Sequence, residues 1–514
     1  MLTADSAVVE IKCDSIYRLD KKYTILLNGE RRGSTQKVIT SLYGLCPDRE
    51  YHLQMAEENG SISGEIFFHT KEESAVLNVC EFGASGDGET DDTIFIQAAI
   101  MACPKGGRVW IPEGKYCVGS LFLKSNLNLE LGAGAVLSFE NRKEKLPILP
   151  GRPGGREDKE AFKLGTWEGD TADMYAALFT GYDVENVNLY GDGRIVGEAS
   201  MENWWKPENR QSPPFRPRML FLTCCQNIRV HGLHFSMCPG WCIHPHRSRD
   251  LGIYDVTITN PEISPNTDEL NPESCEDVEI AGCHFSLGDD CIAIKSGKGR
   301  LALENPKAGR RITVRQCFME NGHGGVTLGS EIASGIYDVT VRDCFFKNTD
   351  RGLRIKTRRG RGSSCVADGI LFENIHMEGV DTPFVLNSFY FCDPDGRSGY
   401  VQDKEPLPVD ERTPEMGSFT FRHIYCTDCH IAGAFFYGLP EKKIRAVIME
   451  DVKIRYAENA REGLPAMMCG IDKMKCRGLI FRNVEELRLA QIDVQGQEGE
   501  AVDILGVDLV VRED

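Results

Sequence analysis

Two aspartates stand side by side in the segment HFSLGDDCIAIKSG, which spans residues 284–297. Asp289 and Asp290 come directly before an alternation of apolar residues that is typical of a short β-strand. Because adjacent carboxylates repel each other, such a pair does not stabilise the start of a strand. Paired carboxylates do serve general acid–base chemistry, in which one group donates a proton and another activates water. The pair is therefore a candidate catalytic centre.

The sequence around this pair repeats a pattern in which two apolar pairs are separated by two residues. Copies begin at residues 187, 228, 251, 278, 312, 339, 370, 419, 447 and 479, of which the first and last are weak. Each apolar pair predicts a short strand, and each gap predicts a corner. Short strands that recur without long helices between them indicate a solenoid. The best match is an all-β fold, the right-handed parallel β-helix, whose turns stack about 4.8 Å apart.

Stacking of the turns brings distant polar segments together. The equivalent edges of four turns are NTDELNPES (266–274), GDDCIAIKSG (288–297), GHGGVTLGSE (322–331) and RGLRIKTRRG (351–360). Strand alternation places Arg354 and Lys356 on one outward face. Asp289 shares the outward parity, whereas Asp290 has inward parity and is predicted to reach solvent at a bend. The resulting polar stripe comprises Asp268, Asp289, Asp290, Lys295, His323, Arg354 and Lys356.

This stripe has the composition that hydrolysis of an acidic sugar chain requires. One carboxylic acid can protonate the leaving oxygen, other carboxylates can activate water, and cations can hold the carboxylates of the substrate. A polar ladder with scattered surface charge would explain any one of these residues. It explains less well why four segments align along one stripe, so we favour a hydrolytic site.

The motifs NTD, GDDCIAIKSG, GHG and RIK, in this order, resemble the signature of glycoside hydrolase family 28, the polygalacturonases and their relatives. The resemblance covers residues 76–514. It implies inverting hydrolysis of α-1,4-linked galacturonic acid, for which acid and base are expected to stand about 6.5 to 9.5 Å apart. It also implies that Asp289 is the general acid and that His323 supports it. Asp268 and Asp290 would activate the water.

The resemblance extends to residues that would contact substrate. The substrate-binding candidates are Asn266, Lys295, Arg354, Lys356 and Tyr437, of which the resemblance assigns Arg354 and Lys356 to the sugar carboxylate. Glu269 replaces the usual glycine after NTD and is expected to add a carboxylate near the aspartate. Three further residues are possible subsite residues, namely Arg218, Trp241 and His244. For Trp241 and His244, core packing is the alternative.

Residues 1–72 lack the repeat and instead alternate short strands with turns. Leu45 stands six residues before Tyr51, as in the tyrosine corner of β-sandwich modules. The segment resembles a fibronectin type III domain. The predicted organisation is thus a small β-sandwich over residues 1–72, a short linker, and a β-helix glycoside hydrolase domain over residues 76–514.

The segment of residues 82–116 contains one predicted helix. A solenoid needs a cap over its open apolar end, and this helix suits that role. Its glycine-rich approach lacks the spacing of dinucleotide-binding and Walker phosphate loops. The N-cap is expected to be Asp91 or Asp92, and the inward face Ile94, Ala98 and Ala99.

Composition limits the partners and the compartment. A net charge of −18 over 514 residues argues against nucleic acid or an anionic membrane as the main partner. It does not exclude an anionic small substrate where cations cluster locally, and the family resemblance implies a pectic oligogalacturonide. The apolar runs are too short to cross a bilayer, and the N-terminal sequence does not match a secretion signal, so we expect a cytoplasmic protein. The 20 cysteines, such as Cys283, Cys317 and Cys344, are interpreted as reduced core thiols.

Two short motifs are similar to cofactor sites. CTDCH (426–430) matches the c-type haem attachment pattern, and HGLH (231–234) carries two histidines. However, Cys426 occupies a core position of the repeat, and HGLH has no third ligand group close in sequence. We therefore expect neither haem nor zinc, and no other cofactor. The sequence does not indicate an oligomeric state.

Two long insertions favour action at a chain end. They occupy residues 140–170 and 389–417, and insertions in a solenoid often emerge on the binding face. There they would turn an open groove into a pocket, which predicts an exo-acting enzyme on short oligogalacturonides. Arg358, Arg359 and Arg361 would then hold the terminal carboxylate, unless they form a solvated run of charge.

Several alternatives remain open at this point. An endo-polygalacturonase would have an open cleft, and rhamnogalacturonan or xylogalacturonan hydrolases would share the same centre. A non-catalytic carbohydrate-binding β-helix, such as an adhesin, would release no reducing sugar. A pectate lyase would require calcium and would form an unsaturated product.

Overall fold

The computed structural model describes residues 1–151 and 164–513. After residue 75 the chain winds through successive turns, and most strands pair in parallel with the equivalent strands of the next turn. This arrangement confirms the prediction of an all-β protein built on a right-handed parallel β-helix. Among the helices in the described ranges, none is long and apolar enough to cross a membrane.

The elements follow one another in this order. The N-terminal strands are β1 (Ala7–Glu10), β2 (Arg18–Leu27), β3 (Glu30–Lys37), β4 (Ile39–Leu42), β5 (Glu50–Ala56) and β6 (Ile62–His69). The first turns contain β7 (Val76–Asn78), β8 (Asp87–Asp91), α1 (Thr93–Ala102), β9 (Arg108–Ile111), β10 (Gly114–Val118), β11 (Leu121–Phe122), β12 (Leu127–Leu131), β13 (Ala135–Phe139), β14 (Ile148–Leu149), β15 (Thr166–Trp167), β16 (Asp170–Thr171), β17 (Met174–Tyr175), β18 (Phe179–Tyr182), β19 (Glu185–Gly191) and β20 (Arg194–Val196).

The central turns contain β21 (Leu220–Thr223), β22 (Gln226–His231), β23 (His234–Ser236), β24 (Ile243–His246), β25 (Arg249–Tyr254), β26 (Thr257–Thr259), β27 (Glu276–Ala281), β28 (His284–Ser286), β29 (Asp290–Ile294), α2 (Gly299–Glu304), β30 (Gly309–Arg315), β31 (Phe318–Glu320), β32 (Gly324–Gly329), β33 (Ile336–Lys347) and β34 (Arg351–Lys356). The last turns contain β35 (Val366–Glu378), β36 (Thr382–Asn387), α3 (Gly399–Gln402), β37 (Glu415–Met416), β38 (Ser418–Cys429), β39 (Ala432–Tyr437), β40 (Ile444–Tyr456), β41 (Arg477–Gln495) and β42 (Val502–Glu513).

The two-residue gap of the repeat is a corner, as predicted. Its second residue has a positive φ in turn after turn, between 48° and 76°. Such a left-handed residue bends the chain between two strands, and Gly, Asn and Asp tolerate it best. The residues at this position are Gly232, Asp255, Gly282, Gln316, Asp343, Asn374, His423 and Asp451.

The apolar positions of the repeat point into one continuous core. Ile228, Val230, Leu233 and Phe235 are buried, and the equivalent residues of the following turns stack above them. Burial of such side chains is the main stabilising contribution to the solenoid. The interpretation of the cysteines as core thiols is confirmed for Cys283, Cys317 and Cys344, and Cys426 and Cys429 of the CTDCH motif are also buried. It is wrong for five exposed cysteines, namely Cys13, Cys46, Cys80, Cys224 and Cys392.

The first 70 residues form antiparallel sheets rather than solenoid turns. Strands β1 and β4 pair with each other, and β3, β2, β5 and β6 form a four-stranded sheet in that order. The backbone N–H of Cys46 donates to the Tyr51 hydroxyl over 2.7 Å, which is the hydrogen bond expected of a tyrosine corner. The relation to fibronectin type III and the boundary at residue 72 stay predictions.

Side chains of these N-terminal sheets pack against the flank of the β-helix. The Lys37 ammonium lies 2.7 Å from the carboxylate of Asp255, which also accepts a hydrogen bond from the Ser41 backbone. Tyr190 donates its hydroxyl to Asp5 over 2.6 Å. Because these contacts include buried charges, they fix the N-terminal sheets against the solenoid.

Helix α1 lies in the predicted segment, but its inward face differs from the prediction. The buried residues are Ile96, Ala99 and Ile100, which follow the i, i+3, i+4 spacing of one helix face. Ile94 is 70% exposed and Ala98 is also exposed, so their assignment to the inward face is wrong. Alanine fits either face of a helix, so the predicted inward face depended on the isoleucine chosen. Ile94 was chosen, whereas Ile96 is the buried one.

The two aspartates that were predicted as alternative N-caps of α1 have different partners. Asp92 precedes the helix, but its carboxylate accepts hydrogen bonds from the backbone of Ser85 and Gly86, at 2.6 and 3.2 Å, rather than from the helix. Asp91 accepts the N–H of Thr93 at 3.1 Å. The aspartates thus tie the loop before α1 to the first turn of the helix.

The two isoleucines of α1 provide a matched test of this packing. Ile96→Ala should lower the free energy of unfolding by about 2 to 5 kcal/mol, because it leaves a cavity between the helix and the first turns. Ile94→Ala should change it by less than about 0.5 kcal/mol, because the side chain lies in solvent. Urea unfolding of both variants measures the difference. Equal destabilisation by the two substitutions would contradict the observed helix face.

Candidate active site

The polar stripe lies on a stack of strands that we call the site sheet, formed by β21, β24, β29, β32, β34, β36 and β39. Neighbouring strands of this stack are in register, so that Ile292 pairs with Val326, which pairs with Leu353. Leu270 bridges β24 and β29, which places the NTD segment between them. The apolar residues of each strand enter the core, and the alternate residues form the outward face that carries the polar stripe.

Asp268, Asp289 and Asp290 meet at one point of this face. One carboxylate oxygen from each lies within 4.8 Å of the others. This limit joins selected oxygens, whereas the expected 6.5 to 9.5 Å separates the two carboxyl groups as wholes, so that expectation stays a prediction. The aspartates meet because two of them are adjacent in the chain and the third occupies the neighbouring turn. We call these residues the aspartate cluster.

Asp290 is the buried anion of the cluster. It is 1% exposed, so the prediction that it reaches solvent at a bend is wrong. Its carboxylate lies 2.7 Å from the Lys356 ammonium and 3.2 Å from the Arg354 guanidinium. Thr327 donates a third hydrogen bond at 2.9 Å. Burial alone would raise the pKa of Asp290, but Lys356 and Arg354 outweigh burial and lower the pKa, so the carboxylate is ionised.

Asp268 has the opposite electrostatic environment. Burial, with the nearby charge of Asp289 as the next cause, raises the pKa of Asp268 to about 8. The Lys295 ammonium, 3.6 Å away, opposes this shift in part. Three carboxylates this close cannot all ionise without strong repulsion. The cluster therefore holds one proton near neutral pH, and that proton belongs to the cluster as a coupled unit.

Asp289 is the most accessible member of the cluster, with 21% of its side chain exposed. The Nδ1 atom of His323 lies 3.7 Å from its carboxylate, and Nε2 lies 3.8 Å from that of Asp350. The nearby carboxylate of Asp289 raises the pKa of His323, which favours the imidazolium form. Asp350 was missed by the sequence analysis, although it directly precedes the RGLRIK segment.

Lys295 was predicted to bind substrate but lies beneath the cluster. Its ammonium is 3.1 Å from Glu331, and the ring centroid of Trp241 is 4.6 Å away. The side chain is almost fully buried, as are those of Asp268 and Arg354, and its contact with a substrate stays a prediction. Trp241 itself is buried and forms part of the same packing.

Three other residues hold the layer under the stripe. Arg218 is fully buried between the rings of Trp167 and Trp241, with its Cζ atom 4.8 and 4.9 Å from the ring centroids. His244 is also fully buried and lies 2.8 Å from Glu273. These positions favour the core role that the sequence left open for Trp241 and His244, and they do not support the subsite role that was predicted for Arg218.

Asn266 and Glu269 flank Asp268 in the NTD segment but differ in exposure. Asn266 is partly exposed, has a φ of 51°, and accepts a hydrogen bond from Arg216 at 2.9 Å. Glu269 is fully buried and accepts a hydrogen bond from the Ser286 backbone. Burial raises the pKa of Glu269 well above its usual range, which favours its neutral form. Its carboxyl is not among the three that meet in the cluster, so the expectation that Glu269 adds a carboxylate near the aspartate is wrong.

The outward face of the site sheet is covered beyond Arg354. The row that contains Thr327 and Arg354 continues with Val385, Phe435 and Ile480, which belong to a buried apolar cluster. Residues of two long loops complete that cluster, namely Phe389, Ala466 and Met468. Tyr437 packs at its edge with its ring centroid 5.1 Å from that of Phe389. We call this cover the C-terminal wall.

Arginines of the RIKTRRGRG segment anchor this wall. Arg359 is buried, pairs with Glu441 at 2.6 Å, and donates to the backbone carbonyls of Tyr400 and Asp403. Arg358 and Arg361 are also buried, and both pair with Asp393. The three arginines are therefore not a solvated run of charge, and their donors are engaged by the 389–417 insertion.

A second cover, the N-terminal wall, lies over the opposite end of the site sheet. Phe221 on β21 is buried under Leu149, Met174, Ala176 and Ala177. The Trp167 ring stacks on Phe215, with ring centroids 4.7 Å apart. Lys298 joins the two walls, because its ammonium lies 3.2 Å from Glu168 and 3.2 Å from Asp393. Residues 152–163 of the predicted insertion lie outside the described ranges.

A parallel β-helix with an aspartate cluster and buried cations on one outer sheet is consistent with hydrolysis of a carbohydrate chain. Residues 157–407 match the family model of glycosyl hydrolases family 28, and residues 76–141 match that of rhamnogalacturonase A/epimerase, pectate lyase-like proteins. A probable polygalacturonase of Arabidopsis thaliana is 30% identical over 393 residues, which are 75% of each chain. The chain belongs to glycosyl hydrolases family 28.

Solved structures agree with this assignment. An exopolygalacturonase from Thermotoga maritima is 26% identical, with a TM-score of 0.60 over 76% of this chain and 88% of that one. A family 28 exopolygalacturonase from Yersinia enterocolitica is 18% identical, with a TM-score of 0.70 over 99% and 97% of the two chains. The second likeness concerns the fold and includes the N-terminal sheets. Proteins named as endo- and as exo-enzymes both occur among the relatives.

The raised pKa of Asp268 predicts a specific dependence of stability on pH. The folded protein holds this proton more tightly than the unfolded chain, whose aspartates titrate near pH 4. The stabilisation is therefore complete below about pH 4 and is lost as pH rises to about 8. Between these values the melting temperature should fall more steeply in the wild type than in Asp268→Asn, which cannot ionise. Parallel melting curves against pH would contradict the assignment.

Proposed function

We propose that this protein removes galacturonic acid from the ends of pectin-derived oligogalacturonides by hydrolysing the α-1,4 linkage with inversion. The aspartate cluster carries this proposal. It combines an ionised carboxylate, a retained proton and an accessible carboxyl within 4.8 Å, which is the set of groups that glycoside hydrolysis needs. Rhamnogalacturonan and xylogalacturonan remain alternative substrates for the same centre.

The accessible position of Asp289 suits the general acid. Asp289 donates its proton to the glycosidic oxygen as the bond to the anomeric carbon breaks, and the leaving sugar departs as an alcohol. Asp290, ionised at the same time, accepts a proton from the water that attacks the anomeric carbon. Asp268 lies beside this water. The proton then returns from Asp290 to Asp289 through solvent, which restores the cluster for the next turnover.

The positive charge around Asp290 explains why an acidic sugar is favoured. Arg354 and Lys356 place two positive charges beside the aspartate cluster. A substrate carboxylate can pair with these cations through charge-assisted hydrogen bonds. This supports the role of Arg354 and Lys356 in holding the galacturonate.

The two walls support action at a chain end. They cover the outward face on both sides of the aspartate cluster, and Lys298 ties them together across the site sheet. A long polymer lying along the sheet would collide with both. The family members from Thermotoga maritima and Yersinia enterocolitica, both named exopolygalacturonases, are consistent with this proposal.

The proposed inversion requires that water attacks on the face opposite to the leaving group. The contacts of Asp290 favour water over Asp290 as the nucleophile. Lys356, Arg354 and Thr327 hold the carboxylate of Asp290 in place, which opposes the movement that bonding to the anomeric carbon would require.

We also infer that residues 1–72 form a separate module of the fibronectin type III kind. The antiparallel sheets and the hydrogen bond between Cys46 and Tyr51 support this inference. The ionic contacts of Asp5 and Lys37 with the β-helix indicate that the module is held in one position.

Replacement of the acid gives the first functional test. Asp289→Asn should lower kcat on polygalacturonate by at least about 100-fold, because the amide cannot protonate the leaving oxygen. The matched control is Asp277→Asn, an exposed aspartate on the same turn, which should keep wild-type activity. Release of reducing ends measures both. Unchanged turnover in Asp289→Asn, with an intact fold, would refute the assignment.

The walls predict the pattern of products. Digestion of polygalacturonate and its trimer should release monogalacturonate as the sole early product, because a pocket admits one chain end at a time. Chromatography of a time course, with viscosity recorded in parallel, measures this. A ladder of mid-length oligomers with a rapid loss of viscosity would rule out the pocket. Proton NMR of the freshly released sugar should show the anomer opposite to that of the substrate linkage.

A further inference from the structure

Lys295 is shared between two carboxylates beneath the aspartate cluster. Its ammonium lies 3.1 Å from Glu331 and 3.6 Å from Asp268, so the shorter contact is not with the cluster. The face of Trp241 covers the ammonium at 4.6 Å from the ring centroid. Lys295 and Glu331 are both buried, which makes their electrostatic interactions strong. The proposed reaction leaves Glu331 without a role.

We propose that Glu331 is a positioning residue, which holds the charge of Lys295 away from Asp268 and thereby keeps a proton on the aspartate cluster. The catalytic consequence rests on the proposed function, because the retained proton matters for glycoside cleavage. The electrostatic part rests on the distances among three buried groups and holds for any reaction of the site.

The position of Glu331 is fixed by its own backbone. Glu331 follows β32, and its carbonyl accepts the Ser296 N–H at 2.7 Å, just beyond the end of β29. The segment with Glu331 therefore stays in register with the strand that carries Asp290 and Lys295. The carboxylate of Glu331 is ionised, because Lys295 and Lys298 outweigh the effect of burial and lower its pKa.

Other charges face this trio from several elements. They come from β24, from the NTD segment and β29, from the start of α2, and from β34 with its following loop. These groups are His244, Glu273, Asp289, Asp290, Lys298, Lys356 and Arg361. They remain unchanged in the variants below, so they contribute equally to each member of the comparison.

The removal of Glu331's charge has a predictable sign. In Glu331→Gln the ammonium of Lys295 loses its closer carboxylate and acts more strongly on Asp268. A cation at this distance favours the ionised form of a carboxyl group, so Asp268 should lose its proton at lower pH. The expected displacement of the Asp268 ionisation is about one pH unit downward.

The double variant Lys295→Gln/Glu331→Gln should have the opposite effect. It removes the cation as well, so Asp268 loses the attraction that stabilises its charge in the wild type. Its ionisation should then move to higher pH than in the wild type. Loss of packing cannot produce opposite displacements in two variants that share the Glu331→Gln substitution. The double variant also leaves neither partner of the pair as a lone buried charge, which favours its folding.

The ionisation of Asp268 can be read without substrate. The melting temperature of each protein is measured from pH 4 to 9 alongside that of its Asp268→Asn derivative, and the difference locates the Asp268 ionisation. This readout decides the electrostatic proposal even if polygalacturonate is not the substrate. If the wild type is active, the alkaline fall of kcat/KM should shift in the same directions.

The control is Glu168→Gln. Glu168 pairs with Lys298 at 3.2 Å but does not contact Lys295, so its removal should leave the Asp268 ionisation in place. A downward displacement in Glu331→Gln and an upward one in the double variant support the proposal. Unchanged ionisation in both, or displacements of the same sign, overturns it. If Glu331→Gln does not fold, the double variant decides alone, and the absence of an upward displacement overturns the proposal.

Discussion

The charge of Asp290 is buried, and the rest of the site depends on the contacts that stabilise it there. An isolated carboxylate in this position would cost several kcal/mol and would take up a proton instead. Thr327 comes from the next turn, and Arg354 and Lys356 come from the turn after that. The ion is therefore held by side chains that are distant in sequence. Those side chains reach it because the stacked strands are in register.

The apolar core fixes the register of the stacked strands, and this register determines which polar side chains of the stripe lie side by side. A slip of one residue in β32 or β34 would move Thr327, Arg354 and Lys356 into the core and expose Val326 and Leu353. The apolar repeat excludes such a slip along the whole solenoid. The geometry of three ionisable groups thus follows from burial of aliphatic side chains on the other face of the same strands.

The sequence allowed the fold and the members of the aspartate cluster to be predicted, but not the depth of each side chain. Alternation of apolar residues identifies the face on which Lys295 and Arg358 lie. It does not show that insertions cover that face. Alternation therefore could not predict that Lys295 pairs with Glu331 and Arg358 with Asp393 inside the protein. Glu269 was misjudged for the same reason: parity near a turn does not reveal whether a carboxylate faces the cleft or the core. In α1, two alanines compatible with either face left the phase undefined.

The buried arginines show how irregular loops can cover a regular sheet. A loop over a solenoid presents backbone carbonyls that no strand satisfies, and each would be costly if left unpaired away from water. The guanidinium of Arg359 reaches two such carbonyls and a carboxylate at once, and that of Arg216 reaches the carbonyls of Pro239 and Pro265. Lysine could not replace this fork of donors. The solenoid turns supply a rigid register for the reacting groups, while arginines that point out of those turns hold the walls on both sides of the aspartate cluster.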